Sequence, residues 1–203
     1  MRNLALVLCV VLACRKPAER PPPPPEPAKA AGPTSVKEQE PNDYQRAQQI
    51  PSRAVVEGSI SAPRDDDWYR VSPGVGQMLA LRVELSPIDA WLEVYDRDRN
   101  RLVRVHSGGE DKGVIPAVAC LEACFVKVSG TVPGPYSLTV LGAPPQAGKE
   151  LEPNNRAIDA NELQPGKPMQ GTYLTGDDED WYKLVLPPPS PGAFLRIEVT
   201  PVE

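Results

Sequence analysis

Apolar and polar residues alternate with a period of two through much of the chain. Met78-Leu79-Ala80-Leu81-Arg82-Val83-Glu84-Leu85 places Leu79, Leu81, Val83 and Leu85 on one face and Arg82 and Glu84 on the other. That is the mark of a half-buried strand. Val55 to Ser61, Asp67 to Val71, Trp91 to Tyr95, Leu102 to Val105, Val114 to Val118, Phe125 to Ser129 and Tyr136 to Leu141 are similar short runs, rich in β-branched and aromatic residues. Turn formers separate them, among them Asp98-Arg99-Asn100, Ser107-Gly108-Gly109 and Pro133-Gly134-Pro135. About eight short strands at this spacing predict an all-β fold, an antiparallel sandwich. The one helical segment the pattern allows is a brief turn near Tyr44 to Gln49, capped by Asn42 or Asp43.

The chain also repeats. Glu38-Gln39-Glu40-Pro41-Asn42-Asp43, followed by Asp65-Asp66-Asp67-Trp68-Tyr69, returns as Glu150-Leu151-Glu152-Pro153-Asn154-Asn155 and Asp177-Asp178-Glu179-Asp180-Trp181-Tyr182. Gly58 aligns with Gly171 and Trp68 with Trp181 at the same offset, and Leu81 to Pro87 is matched by Leu195 to Pro201. This divides the chain into a first unit over 36–143, a linker over 144–149 and a partial second copy over 150–203. The second copy carries the motif and its first three strands, with no counterpart of Trp91 to Leu141. Half a sandwich leaves open edges and a bare apolar face, so it is expected to be poorly ordered alone, completed by another chain, or continued beyond this sequence.

Composition changes the picture at the N-terminus. There are 26 prolines, concentrated before residue 34 and in Pro187-Pro188-Pro189-Ser190-Pro191, and they oppose long helices. A net charge of -5 with both signs mixed gives no basic surface for nucleic acid. Arg2 and the apolar run Leu4 to Leu12 read as a targeting segment over 1–13, too short for the roughly twenty residues that span a bilayer. Val11-Leu12-Ala13-Cys14 resembles a bacterial lipoprotein signal, which implies that Cys14 is lipidated (palmitate-type acylation) and becomes the mature N-terminus; an ordinary signal peptide cut elsewhere is the alternative. Acyl chains anchor through about 0.8 kcal/mol per buried methylene. Residues 14–35, with Pro21 to Pro25 in a row, then form a stalk with polyproline II tendency, about 3.1 Å per residue. A ligand for a proline-recognising groove is the competing reading. In an exported protein Cys120 and Cys124 are the remaining cysteine pair, suited to a small local disulfide, with metal binding as the alternative.

The duplicated motif carries the candidate chemistry. Carboxylate and amide oxygens this dense around a proline are what a hard, oxygen-seeking cation requires, and calcium takes about six to eight of them. The duller reading is that Asn42 and Asp43 cap a turn and the aspartates face water. Glu38-x-Glu40-Pro41-Asn42-Asp43, with Ala47, Ile50, Gly58 and Asp65-x-Asp67-Trp68-Tyr69, resembles the bacterial pre-peptidase C-terminal domain, which is similar to the collagen-binding domains of clostridial collagenases. The resemblance implies a jelly-roll β-sandwich and calcium ligands Glu38, Glu40, Asn42, Asp43, Asp65 and Asp67 in the first unit. In the second it implies Glu150, Glu152, Asn154, Asn155, Asp178 and Asp180, a weaker set because Asn155 replaces an aspartate.

No catalytic motif stands out. His106 is the single histidine, its neighbour Ser107 lacks an elbow or oxyanion signature, and surface placement is the ordinary fate of such a residue. Trp68 and Trp181 read as core or sheet-packing aromatics. The sequence thus predicts a non-enzymatic, lipid-anchored cell-envelope protein, held at the outer membrane, whose modules bind an unidentified protein or polysaccharide partner or act as spacers. An accessory region of a secreted hydrolase and an adhesin for extracellular matrix or polysaccharide are the alternatives.

Overall fold

The computed structural model describes residues 32–86, 88–108, 112–174, 178–186, 188, 191–192 and 194–200. The signal segment, Cys14, the proline row of the stalk and Asp177 lie outside the described residues.

The first unit is a sandwich of two five-stranded sheets. Its strands are β1 (Thr34–Lys37), β2 (Gln48–Ile50), β3 (Arg53–Ile60), β4 (Asp66–Val71), β5 (Met78–Ser86), β6 (Ala90–Tyr95), β7 (Arg101–Ser107), β8 (Gly113–Leu121), β9 (Cys124–Gly130) and β10 (Gly134–Ala143). One sheet runs β1-β3-β10-β5-β8 and the other β2-β4-β9-β6-β7. The eight strands read from the alternation pattern are β3 to β10. Counted from β3, their order is first-eighth-third-sixth in one sheet and second-seventh-fourth-fifth in the other, the order of a jelly roll. Apart from β6 and β7, each strand crosses to the opposite sheet from its predecessor, so the closing contacts are non-local.

Alternation fixes which residues enter the core. Ala54, Val56 and Ile60 of β3, Leu81, Val83 and Leu85 of β5, Ile115 and Val118 of β8, and Leu138 and Val140 of β10 line one inner face. Tyr69 and Val71 of β4, Leu92 and Val94 of β6, Val103 and Val105 of β7, and Val126 and Val128 of β9 line the other. Cys120 and Cys124, both buried, are joined by a disulfide with Cα atoms 5.6 Å apart, at the turn where the chain passes from β8 to β9.

Three features differ from the sequence reading. β1 and β2 are short strands at the sheet edges, pairing parallel with β3 and β4. β1 takes in Thr34 and Ser35, the last two residues of the expected stalk. The helical turn expected near Tyr44 to Gln49 is a non-helical turn at 43–46 that leads straight into β2, because Gln48 to Ile50 gain ladder hydrogen bonds to Tyr69 to Val71. In the second copy, the described residues contain only β11 (Asn161–Leu163) and β12 (Tyr182–Leu184), paired parallel as β2 and β4 are. Residues 194–200, the expected counterpart of β5, form no strand, and Leu195, Ile197 and Val199 are exposed. In the first unit β5 is held between β10 and β8, and the described residues of the second copy form neither partner.

Gly58 ties packing to the site described below. It stands opposite Tyr136 in the β3–β10 ladder, and a Cβ added there would come within 2.5 Å of the Tyr136 ring. Overpacking of this kind costs about 1–3 kcal/mol. Gly58→Ala is therefore expected to lower the denaturation midpoint without changing the denaturant slope, as read by chemical unfolding.

Candidate metal centres

The first cluster is assembled where four segments meet between the sheets. Glu38 follows β1 directly, and its backbone N–H donates to the Glu57 carbonyl at 3.0 Å. This places its carboxylate so that Oε2 accepts from the Ser59 amide at 2.7 Å and Oε1 from the Asn42 side-chain amide at 2.9 Å. Tyr69 from β4 and Tyr136 from β10 bring their hydroxyls to 3.1 and 3.2 Å from the same Glu38 oxygen, and the two hydroxyls are 2.6 Å apart. Tyr136 also donates to Asp67 Oδ2 at 2.6 Å. Asn42 is pinned at both ends of its backbone. Its N–H donates to Glu40 Oε2 at 3.0 Å, and its carbonyl accepts from the Trp68 N–H at 2.8 Å.

Glu38, Glu40 and Asp67 thereby converge, each offering an oxygen within 4.8 Å of the others. Asp67 is fully buried, and its Oδ1 has no hydrogen-bond partner. Burial, helped by the nearby Glu38 charge and opposed by the Tyr136 hydrogen bond, pushes its carboxyl up to about 8. Burial likewise raises the Tyr69 and Tyr136 hydroxyls, so both remain protonated donors.

The remaining expected ligands of this unit stand elsewhere. Asp43 Oδ1 accepts from the Gln45 and Arg46 amides at 3.0 and 3.1 Å, and its carboxylate pairs with the Arg46 guanidinium. Hydrogen bonding to Arg46 holds its pKa below the usual carboxylate value. Asp43 therefore caps a turn and stands apart from the three converging acids. Asp65 Oδ2 accepts from the Ser61 amide and hydroxyl, both at 2.6 Å, and so shapes the loop before β4.

The second motif repeats this wiring. Glu150 N–H donates to the Gln170 carbonyl at 3.0 Å, Trp181 N–H to the Asn154 carbonyl at 3.0 Å, Asn154 N–H to Glu152 Oε2 at 3.3 Å and the Leu174 amide to Asp178 Oδ2 at 2.6 Å. The Tyr182 hydroxyl donates to Glu150, as Tyr69 does to Glu38. The Glu40–Pro41 and Glu152–Pro153 bonds are both cis. Glu150, Glu152 and Asp180 converge as Glu38, Glu40 and Asp67 do. Among the described residues no counterpart of Tyr136 reaches this site, and more oxygens are left bare: Glu152 Oε1, Asn154 Oδ1 and Asp180 Oδ1. Burial, then the Asp178 and Glu150 charges, push the Glu152 carboxyl up to about 7, and burial raises Asp180 as well. Asn155 is exposed, outside the cluster like Asp43. The charge that Asn155 lacks therefore falls outside the three converging acids.

Both donor sets consist of carboxylate and amide oxygens with no nitrogen or sulfur among the described residues, and both contain buried oxygens that no described residue hydrogen-bonds. A hard divalent cation of the calcium type fits that chemistry. Tyr136 is the residue that sequence reasoning missed. Its one signal is Gly58, the small residue its ring requires.

The two tryptophans separate. Trp68 is buried on the outer face of its sheet against Tyr44, Tyr95 and Phe125, with ring centroids 5.2, 4.9 and 6.4 Å away. Trp181 is 44% exposed, so its expected packing is not realised; among the described residues no strands equivalent to β6 and β9 lie beside it.

No protein-family model matches the chain, and no curated protein matches it. Among solved structures it is similar to the pre-peptidase C-terminal domain of a collagenase from Bacillus anthracis, with 12% identity, 55% of this chain and 99% of that one covered, and a TM-score of 0.33. It is also similar to PliG, a periplasmic inhibitor of g-type lysozyme, from Aeromonas hydrophila (18% identity, 56% and 100% covered, TM-score 0.34) and from Salmonella Typhimurium (15%, 54% and 98%, TM-score 0.30).

The raised Asp67 and Glu152 carboxyls make stability depend on pH. Between the ordinary carboxylate range and about 7 to 8 the folded chain binds protons that the unfolded chain releases, so unfolding gains as pH rises through that window. In chelator, the melting temperature is expected to be higher at pH 5 than at pH 8, and Asp67→Asn, which keeps the site neutral, is expected to reduce that difference. Calorimetric scans across the window in chelator test both.

Proposed function

We propose that the protein is a non-enzymatic, lipid-anchored module of the cell envelope whose β-sandwich units are stabilised by calcium and serve binding or spacing at the outer membrane. The observation that carries the metal part is the set of buried, unpartnered oxygens, Asp67 Oδ1 in one cluster and Glu152 Oε1, Asn154 Oδ1 and Asp180 Oδ1 in the other. A buried polar atom without a partner costs about 1–3 kcal/mol. Four of them gathered at two copies of one motif favour a ligand over chance.

The non-enzymatic reading draws on the surroundings of His106. Its Nε2 lies 3.0 Å from Asp89 Oδ1, and its ring meets Trp91 edge-on with centroids 4.6 Å apart on the exposed face of β7. Ser107 points to the opposite face, where its Oγ is buried 3.4 Å from the Leu85 carbonyl. The two side chains therefore do not cooperate as base and nucleophile. The envelope location rests on the Val11-Leu12-Ala13-Cys14 motif and the proline-rich segment after it.

Calcium at a hundredfold excess over its dissociation constant stabilises a one-site protein by about 2.7 kcal/mol. Millimolar calcium is accordingly expected to release or absorb heat on titration and to raise the melting temperature relative to chelator. A protein that does neither overturns the metal reading. For the anchor, Cys14→Ala is expected to abolish palmitate labelling in cells and move the protein from the membrane fraction to the soluble one. Unchanged fractionation and labelling would remove the lipoprotein assignment.

A further inference from the structure

The second acidic cluster differs from the first in what surrounds it. In the first motif Glu40 is exposed and pairs with no strand. Its counterpart Glu152 lies against the first sandwich. The Glu152 N–H donates to the Ala117 carbonyl at 3.0 Å, and its carbonyl accepts from the Ala119 N–H at 2.8 Å, a parallel bridge across Val118 of β8. β8 is the last strand of its sheet, with β5 on its other side. Glu152 thus occupies the edge that β8 would otherwise present to water.

The same residue contributes its carboxylate to the cluster with Glu150 and Asp180. Glu152 is 1% exposed with Oε1 unpartnered, and Asn154 is 0% exposed with Oδ1 unpartnered. Docking on β8 therefore buries an acidic group that its counterpart in the first motif leaves in water. Burying a carboxylate is unfavourable unless a partner compensates it. The protein supplies the Asn154 amide to one oxygen, while Asp178 and Glu150 nearby add repulsion. The first cluster has the Tyr136 hydroxyl to serve its aspartate, whereas among the described residues no hydroxyl serves Asp180, which has the Asn154 side chain as a partner and keeps Oδ1 bare. The second site is thus left with an excess of negative charge and bare oxygens at the place where, among the described residues, the two modules touch through the backbone.

We propose that the second cluster is an inter-module clamp: a divalent cation of the calcium class held by Glu150, Glu152, Asn154 and Asp180 locks the second module onto the β8 edge, which opens when the cation leaves. This rests on the cation reading given above and adds to it that occupancy and docking are linked, each favouring the other. The disulfide from Cys120 to Cys124 makes the edge a firm seat, since it fastens the end of β8 to β9 in the opposite sheet.

The Ala119 amide is the reporter, because its hydrogen bond runs outward to Glu152 and forms only when the modules are docked. Hydrogen exchange at Ala119 in the full chain is to be compared in calcium chloride and in chelator, beside calorimetric titration with calcium alone. The clamp predicts two equivalents bound and exchange at Ala119 slowed by about 10-fold or more with calcium. Asp180→Asn should lose one equivalent and the calcium-dependent slowing together, and Glu152→Gln should do the same through a different ligand. Protection of the β9 amides shows whether each variant keeps the first sandwich folded. Two equivalents with calcium-independent exchange at Ala119 would overturn the clamp and leave the metal reading standing. One equivalent that survives both substitutions would do the same, and no binding at all would overturn both.

Discussion

The structure depends on a small knot of polar groups set into an apolar sandwich, with Asp67, Tyr69 and Tyr136 buried and Glu38 half-buried. Glu38, Asp67, Tyr69 and Tyr136 come from the residue after β1, from β4 and from β10, and they share hydrogen bonds of 2.6 to 3.2 Å. Two of these residues belong to one sheet or its margin and two to the other, so the knot fastens the layers where an all-apolar core would only press them together. Its cost is desolvation of two carboxylates. The phenol hydroxyls offset part of that cost, and the bare Asp67 oxygen marks the part they do not. Gly58 has no side chain because Tyr136 fills its place, and Asn42 is buried because its amide serves Glu38. The strict spacing of the opening motif follows from these demands.

The jelly roll was legible because each of its eight strands must hide one face, and hiding one face writes a period-two pattern into the sequence. β1 and β2 were not legible. They are short edge strands, β1 mostly exposed and β2 only three residues long with Ile50 alone buried, and their identity as strands comes from hydrogen bonds to β3 and β4 instead of from their own residues. The acidic motif was legible as a cluster, but composition could not say which oxygens point inward. Asp43 and Asp67 look alike in sequence, yet one caps a turn against Arg46 and the other is sealed in the core on the inner face of β4. Tyr136 was hidden for a different reason: it lies 98 residues from Glu38 and meets it only after β10 has returned beside β3.

The repeat separates what the motif does locally from what the sandwich does for it. Both copies form the same hydrogen bonds among Glu, Asn, the following strand and its tyrosine, and both contain the short parallel pair represented by β2–β4 and β11–β12. These contacts join the motif to the strand that follows it, at separations of up to 32 residues, and need no completed sheet. Burial of the tryptophan does need one, which is why Trp68 is enclosed and Trp181 is not. The aspartate's hydroxyl partner needs one too, since it arrives on β10.

It follows that the second copy is the more exacting site even though its sequence has one formal charge fewer. Charge counts taken from the motif include Asp43 and Asn155, which stand outside the converging acids, so the lost charge falls beside the cluster and not within it. What differs inside the clusters is donors. The first has two phenols and the second one, while the second buries its central glutamate against the β8 edge. Fewer donors and deeper burial raise the need for an external positive charge. The strength of such a site is therefore set less by how many acids its motif contains than by how many hydroxyls the rest of the fold can bring to them.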